Sequence, residues 1–155
     1  MKIIICASGR LRNSPELSLL KKYQVRTEKI GKLIKFSSVN IVEYDAVKWN
    51  KFLTDGTLFK SFSSKAYKVL LDESGNFFSS TAFAERIRFQ RDNGAEEVVF
   101  FIGGADGIPD GLSIKFDEIL SLGKMVWPHF LARVMLMEQI YRTSTILAGL
   151  PYHKD

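Results

Sequence analysis

The sequence has one cysteine, Cys6, and two histidines, His129 and His153, among 155 residues. A lone cysteine makes no internal disulfide, and this inventory supplies neither a zinc spacing nor a catalytic triad, so no metal is expected. Nothing near Cys6 in sequence would lower its pKa, and it reads as a core thiol in a reducing, cytoplasmic setting. No apolar run reaches the roughly 18 residues that span a bilayer, so no membrane segment is expected. Met1 to Cys6 begins as a signal peptide would, but the apolar stretch stops within a few residues and fits a buried strand. Neither G-x-G-x-x-G nor G-x-x-x-x-G-K-[ST] occurs, which disfavours a phosphate-rich cofactor. There is no internal repeat, low-complexity tract or linker, and the length suits one domain over residues 1–155.

What is present is ordinary for a globular chain, with 46% hydrophobic and 25% charged residues. The charge is unevenly spread. Residues 1–70 hold 14 Lys/Arg against 5 Asp/Glu, whereas residues 71–155 hold 8 against 12. Lys21, Lys22, Arg26, Lys29, Lys32 and Lys35 face only Glu28 in sequence. Such a cluster suits a phosphate backbone, although a solvated helix face has the same pattern.

Strands and helices alternate along the chain. Residues 2–7, 39–43, 67–71, 98–102 and 124–127 read as strands, the last closed by Pro128. A helix capped by Ser14, with Pro15 at its first position, runs to about Ile30 and ends at Gly31. Residues 46–63 are weakly helical, with Gly56 interrupting. A further helix, capped by Ser79 or Ser80, runs through Arg91. Residues 111–120 read as a short helix, and His129 to Leu147 as the last one. The apolar run Val98-Val99-Phe100-Phe101-Ile102 marks a strand buried on both faces of a parallel sheet. The fold class is therefore α/β, a parallel-core sheet with helices on both faces.

Three stretches carry candidate chemistry. Ile102-Gly103-Gly104-Ala105-Asp106-Gly107 follows a buried strand, where open α/β sheets bind ligands and where glycine lets backbone approach a flat molecule. Leu71-Asp72-Glu73-Ser74-Gly75 ends another strand, with carboxylates suited to a ribose or a cation, or to solvent alone. The helix opened by Pro128-His129 is apolar on nearly all sides, as a helix shared between a core and a subunit interface would be. Its polar exceptions are Arg133, Glu138 and Arg142, the last two spaced for a helix ion pair.

These segments, in this order, resemble the RlmH family of large-subunit ribosomal RNA pseudouridine N3-methyltransferases, in the SPOUT superfamily. The resemblance is carried by Leu71-Asp72, Ile102-Gly103-Gly104 with Gly107, Ser121-Leu122, Pro128-His129, Leu131, Arg133-Val134, Glu138, Tyr141-Arg142 and Pro151-Tyr152-His153. It covers the whole chain and is densest from residue 67 onward. The chain departs from the family's usual pattern at Phe130 and at Gly149-Leu150.

The resemblance implies a deep C-terminal trefoil knot, a homodimer, and action on assembled ribosomes. It implies S-adenosylmethionine as cofactor, held by Leu71, Asp72, Gly103, Gly104, Gly123, Lys124, Met125, Val126, Trp127 and Pro128. The partner's tail is expected to help complete each active site, with His153, Tyr152, Arg142, His129 and Arg133 as catalytic candidates whose roles stay open. The imide nitrogen of pseudouridine is protonated at neutral pH, so a base or an anion-stabilising group is needed. The competing readings are another SPOUT methyltransferase with a different RNA target, a non-enzymatic RNA-binding module, and a small nucleotide-using α/β enzyme.

Overall fold

A computed structural model describes residues 1–104, 107–109 and 111–154. Strand β1 (Lys2–Ser8) is followed by helix α1 (Pro15–Gly31), β2 (Ser38–Tyr44), α2 (Ala46–Thr54) and α3 (Thr57–Lys60). Then come β3 (Ala66–Asn76), α4 (Ser80–Asp92), β4 (Glu97–Ile102), β5 (Glu118–Leu120) and α5 (His129–Leu147). The sheet runs β2-β1-β4-β3-β5, and every neighbouring pair is parallel.

Alternation along the central strands builds two cores. Ile3, Ile5, Val98, Phe100 and Ile102 point to the layer of α1, α4 and α5, where they meet Leu20, Phe83, Leu136, Met137 and Ile140. Ile4, Cys6, Val99 and Phe101 point to the other face, against Trp49 and Leu53 of α2 and Leu58 of α3. Phe101 lies within 5.6 Å, centroid to centroid, of Phe59, Phe62 and Phe116. Such tilted and edge contacts add about 0.5–1.5 kcal/mol each beyond simple burial.

The helix starts follow the expected chemistry. Ser14 accepts from the Leu17 amide at 3.2 Å, and Ser79, rather than Ser80, accepts from the Ala82 amide at 3.1 Å. The weak helical region divides at Gly56, whose φ of 77° separates α2 from α3. The stop after α1 differs from expectation. Gly31 stays helical, a 3-10 turn continues over Lys32–Ile34, and Lys35 takes the left-handed conformation. Glycine at 31 relieves crowding, because a Cβ there would sit 3.1 Å from the Phe36 carbonyl oxygen, tighter than most such contacts.

Two expectations in the C-terminal half are corrected. Residues 111–120 do not form a helix. They hold a 3-10 turn, Ser113–Lys115, and then β5, which pairs Val69–Leu71 of β3 with Glu118–Leu120. Residues 124–127 form no strand, because the sheet edge beside β3 is already taken by β5 and the apolar run is left to wall a cleft. Strand β3 also continues to Asn76 through a register shift, so Asp72–Gly75 is strand and not a turn. There Gly75 passes so close to β5 that an added Cβ would lie 2.7 Å from the Ile119 carbonyl carbon and oxygen.

Candidate active site

A cleft of about 880 Å³ opens at the carboxyl ends of β3, β4 and β5, where parallel sheets present ligand sites. Leu71, Asp72 and Glu73 line it from β3; Ile102, Gly103, Gly104, Gly107 and Ile108 line it after β4. Ser121, Leu122, Gly123, Met125, Val126, Trp127 and Pro128 form the third wall, and His129 and Ala132 of α5 close the end. Of the ten residues proposed for a cofactor, nine line this cleft; Lys124 is exposed and does not. Ala105 and Asp106 of the glycine motif, and Asp155 of the tail, lie outside the described residues.

Local hydrogen bonding shapes the walls. The Gly107 amide donates to the Gly104 carbonyl at 3.1 Å, which holds the two glycines together in an antiparallel bridge. A Cβ on Gly103 would meet the Gly107 carbonyl oxygen at 3.1 Å, whereas one on Gly104 would touch, among the described residues, only the Ser8 side chain, at 3.4 Å or beyond. Among the described residues, Gly104 therefore meets no close steric demand, and its bare backbone lines the cleft. The Ser121 hydroxyl donates to the Gly123 carbonyl at 2.8 Å and accepts from its amide at 3.2 Å, pinning the third wall. Asp72 turns one carboxylate oxygen to the amide and hydroxyl of Ser74, at 2.9 and 2.6 Å, which fixes the carboxylate at the cleft wall. The Asp72-Glu73 carboxylates that the sequence singles out both reach the cleft, whereas Ile108 and Ala132 were missed as lining residues. Neither carries a local signal, since each reaches the cleft only through the tertiary fold.

The five catalytic candidates separate into two groups. His129 and Arg133 stand at the start of α5, beside the cleft. The His129 ring packs edge-on to Phe130 with centroids 4.2 Å apart. Burial, and then the neighbouring Arg133 charge, hold its pKa below the usual histidine value, so the imidazole is neutral at neutral pH. Arg133 does not present itself to the cleft. It is fully buried, paired with Glu43 at 2.7 Å and donating to the Ser8 carbonyl, which makes it a structural brace and not a group free to touch substrate.

Arg142, Tyr152 and His153 gather further along α5 around Glu138. Glu138 Oε1 accepts from Arg142 Nε at 3.1 Å, from Arg142 Nη2 at 2.6 Å and from the Tyr152 hydroxyl at 3.0 Å. Burial, followed by hydrogen bonds with Tyr23 and Glu138, pushes the Tyr152 phenol above its ordinary value, so it remains a donor. Arg142 Nη1 lies 3.2 Å from His153 Nδ1. A guanidinium has only donors, so this contact makes Nδ1 the acceptor and puts the proton on Nε2, 3.4 Å from the Thr81 hydroxyl. The tail is therefore folded onto α5 and α4 and is not a loose end. Arg142 stands thirteen positions after His129 on α5, about 20 Å along the axis at about 1.5 Å per residue, so one chain does not unite the two groups.

A model of the family described as "Predicted SPOUT methyltransferase" matches residues 1–153. Among curated relatives, the "Ribosomal RNA large subunit methyltransferase H" of Paracoccus denitrificans is 44% identical over 156 residues, covering all of both chains. The proteins of that name from Cereibacter sphaeroides (strain KD131 / KCTC 12085) and Ruegeria sp. (strain TM1040) are 43% and 41% identical, each alignment covering 99% of both chains. With its five-stranded parallel sheet and glycine-walled cleft, the chain belongs to the SPOUT methyltransferase family.

Proposed function

We propose that this protein methylates N3 of a pseudouridine in large-subunit ribosomal RNA, on assembled ribosomes in the cytoplasm, using S-adenosylmethionine. The observation that carries the reading is the cleft, whose three walls are the three segments, at Leu71, Gly103-Gly104 and Gly123 to Pro128, that the sequence resemblance implies for the cofactor. The names of the relatives support the RNA target.

The residues present fit that cofactor. Gly103 and Gly104 offer bare backbone to a flat heterocycle, and Met125, Val126 and Trp127 offer an apolar wall. Asp72 and Glu73 offer carboxylates to hydroxyls or to positive charge. When bound, S-adenosylmethionine supplies an activated methyl group. The chain's own work is then to hold the acceptor base in line with it and to manage the imide proton.

We read the enzyme as a homodimer whose active site is composite. A second groove, of about 570 Å³ between α1, α4 and α5, is lined by Leu19, Tyr23, Phe77, Phe78, Met135 and the Glu138 edge, among others. Phe77 at its rim is 62% exposed, apolar area that a partner subunit would cover. Dimerisation there brings the partner's Tyr152, His153 and Arg142 toward the cleft of the first subunit. In that arrangement Arg142 stabilises negative charge on the acceptor base, Tyr152 donates to it, and the neutral His129 in the cleft accepts the proton. The same reading includes a deep C-terminal trefoil knot, as the sequence resemblance implies.

The test is labelled methyl transfer to ribosomes and to naked RNA, followed by nucleoside mass spectrometry. N3-methylpseudouridine in large-subunit RNA, formed on ribosomes, is expected. Methylation of another nucleoside, or of transfer RNA, overturns the target. Absence of both transfer and S-adenosylmethionine uptake by calorimetry overturns the enzyme.

A further inference from the structure

Resting on the proposed RNA methyl transfer, we infer that the outer face of α1 grips the RNA backbone and passes the strand to the Tyr141–Tyr152 cluster. Lys21, Lys22, Arg26, Lys29, Lys32 and Lys35 are all exposed, and Glu28 is the one acid within residues 21–35. At 3.6 residues per turn, Lys21, Lys22, Arg26 and Lys29 share one arc, opposite the face that buries Leu20, Thr27 and Gly31.

Among the described residues, none of these six cations joins an ion pair. Lys2, Lys65, Lys68, Arg86, Arg88, Arg91, Arg133 and Arg142 all do. On the opposite layer Lys48, Lys51 and Lys60 also stand outside these ion pairs, but Asp45 and Asp55 lie among them and leave a net of one positive charge, against five for residues 21–35. The α1 face thus concentrates positive charge that no carboxylate among the described residues pairs, which is the electrostatic pattern that captures phosphates and releases their counterions.

The face has a direction. At its edge, Arg26 Cζ lies 5.9 Å from the Tyr141 ring centroid. Tyr141 lies 5.7 Å from Tyr23 and 4.7 Å from Tyr152, and Arg142 Cζ sits 4.9 Å over Tyr152. Cations that hold phosphates thus run into aromatic rings on which unstacked bases can lie, as single-stranded and loop RNA requires. An anionic lipid surface fits less well. A membrane-lying helix needs its apolar side free, and that side of α1 is buried, with Leu20 in the core it shares with α5.

The experiment compares the full-length Lys21→Gln/Lys22→Gln/Lys29→Gln variant with Lys48→Gln/Lys51→Gln/Lys60→Gln, which removes the same charge from the opposite layer. Ribosome affinity is measured across a salt series, with steady-state methyl transfer and calorimetry of S-adenosylmethionine alongside. The α1 variant is expected to flatten the slope of log affinity against log salt by about 3, one for each lost phosphate contact. Its KM for ribosomes should rise by at least about tenfold, since uniform binding is lost while kcat and cofactor affinity stay unchanged. The α2–α3 variant should move none of these. Equal weakening by both variants makes net charge the cause and overturns the surface. So does an α1 variant that binds ribosomes normally but no longer binds phosphatidylglycerol vesicles. If wild-type protein transfers no methyl group, the enzymatic reading falls, while the salt slopes still decide whether α1 is the RNA surface.

Discussion

Arg133 and Glu43, ninety positions apart in sequence, form an ion pair of 2.7 Å in which the arginine side chain has no solvent exposure. The same carboxylate oxygen accepts from the Leu11 amide at 3.2 Å, and the guanidinium also donates to the Ser8 carbonyl. The pair therefore ties the start of α5 to the carboxyl ends of β1 and β2, under the cleft. Arg133→Met leaves Glu43 and the Ser8 carbonyl without their partner. It should destabilise the protein by about 3 kcal/mol in urea unfolding, the scale of breaking a buried pair. Adding Glu43→Leu should recover part of that loss. A single variant as stable as wild type would show that the brace carries no load.

The Cys6 thiol is fully buried, and that burial, against a smaller opposing effect of Arg133, pushes its pKa up to about 12. The folded state keeps this proton where the unfolded state, with a value near 9.0, loses it. Stability from this group is therefore intact below pH 9 and falls as pH rises through the window to about 12, by up to about 1.4 kcal/mol per unit. Chemical denaturation between pH 8 and pH 11 should show wild type losing more stability than Cys6→Ala. Iodoacetamide at pH 8 should label Cys6 only as fast as the protein unfolds. Rapid labelling of native protein would refute the burial.

Two glycines should behave in opposite ways. Among the described residues Gly104→Val meets only the Ser8 side chain, so the fold should survive while cofactor affinity drops by more than about tenfold, because the new methyls stand in the cleft. Gly75→Ala instead drives a Cβ into the Ile119 backbone at 2.7 Å and should cost stability by about 2 kcal/mol or more, a typical overpacking cost. Circular dichroism with calorimetry separates the two. A destabilised Gly104→Val with normal cofactor affinity would reverse the assignment.

The sequence was most legible where one residue type has one physical use. Ser14 with Pro15, the apolar run of β4 and the span of α5 all appear as expected, because caps and burial on both faces are local signals. The region between Gly107 and Pro128 was misread. Glu118-Ile119-Leu120 is too short to announce a strand, and only its pairing with β3 makes it one. Met125-Val126-Trp127 looks like a strand but stays exposed, at 69%, 78% and 38%, as a cleft wall. Arg133 was singled out correctly as anomalous on an apolar helix, yet its meaning depended on Glu43, which nothing in sequence connects to it.

The tail should separate positioning from proton transfer. Removing residues 152–155 takes away a phenol that donates to Glu138 and an imidazole that accepts from Arg142, but no core side chain. The truncated protein should unfold within about 1 kcal/mol of wild type, as for surface changes, and transfer methyl groups far more slowly in single turnover. His153→Ala at near-normal rate, with the truncation inactive, would assign the tail to positioning through Tyr152. A truncation at wild-type rate would remove the tail from the mechanism.

The central claim is that each site joins the cleft of one subunit to the tail of another. The most direct measurement is methyl transfer by a purified heterodimer that pairs a Gly104→Val subunit with a subunit lacking residues 152–155. Each parent homodimer should be inactive. In the heterodimer, the truncated subunit keeps an intact cleft and the Gly104→Val subunit keeps an intact tail. One of two composite sites is thus restored, and activity should return to about half of wild type. If cleft and tail act within a single chain, neither subunit is whole, and the heterodimer will be as inactive as its parents.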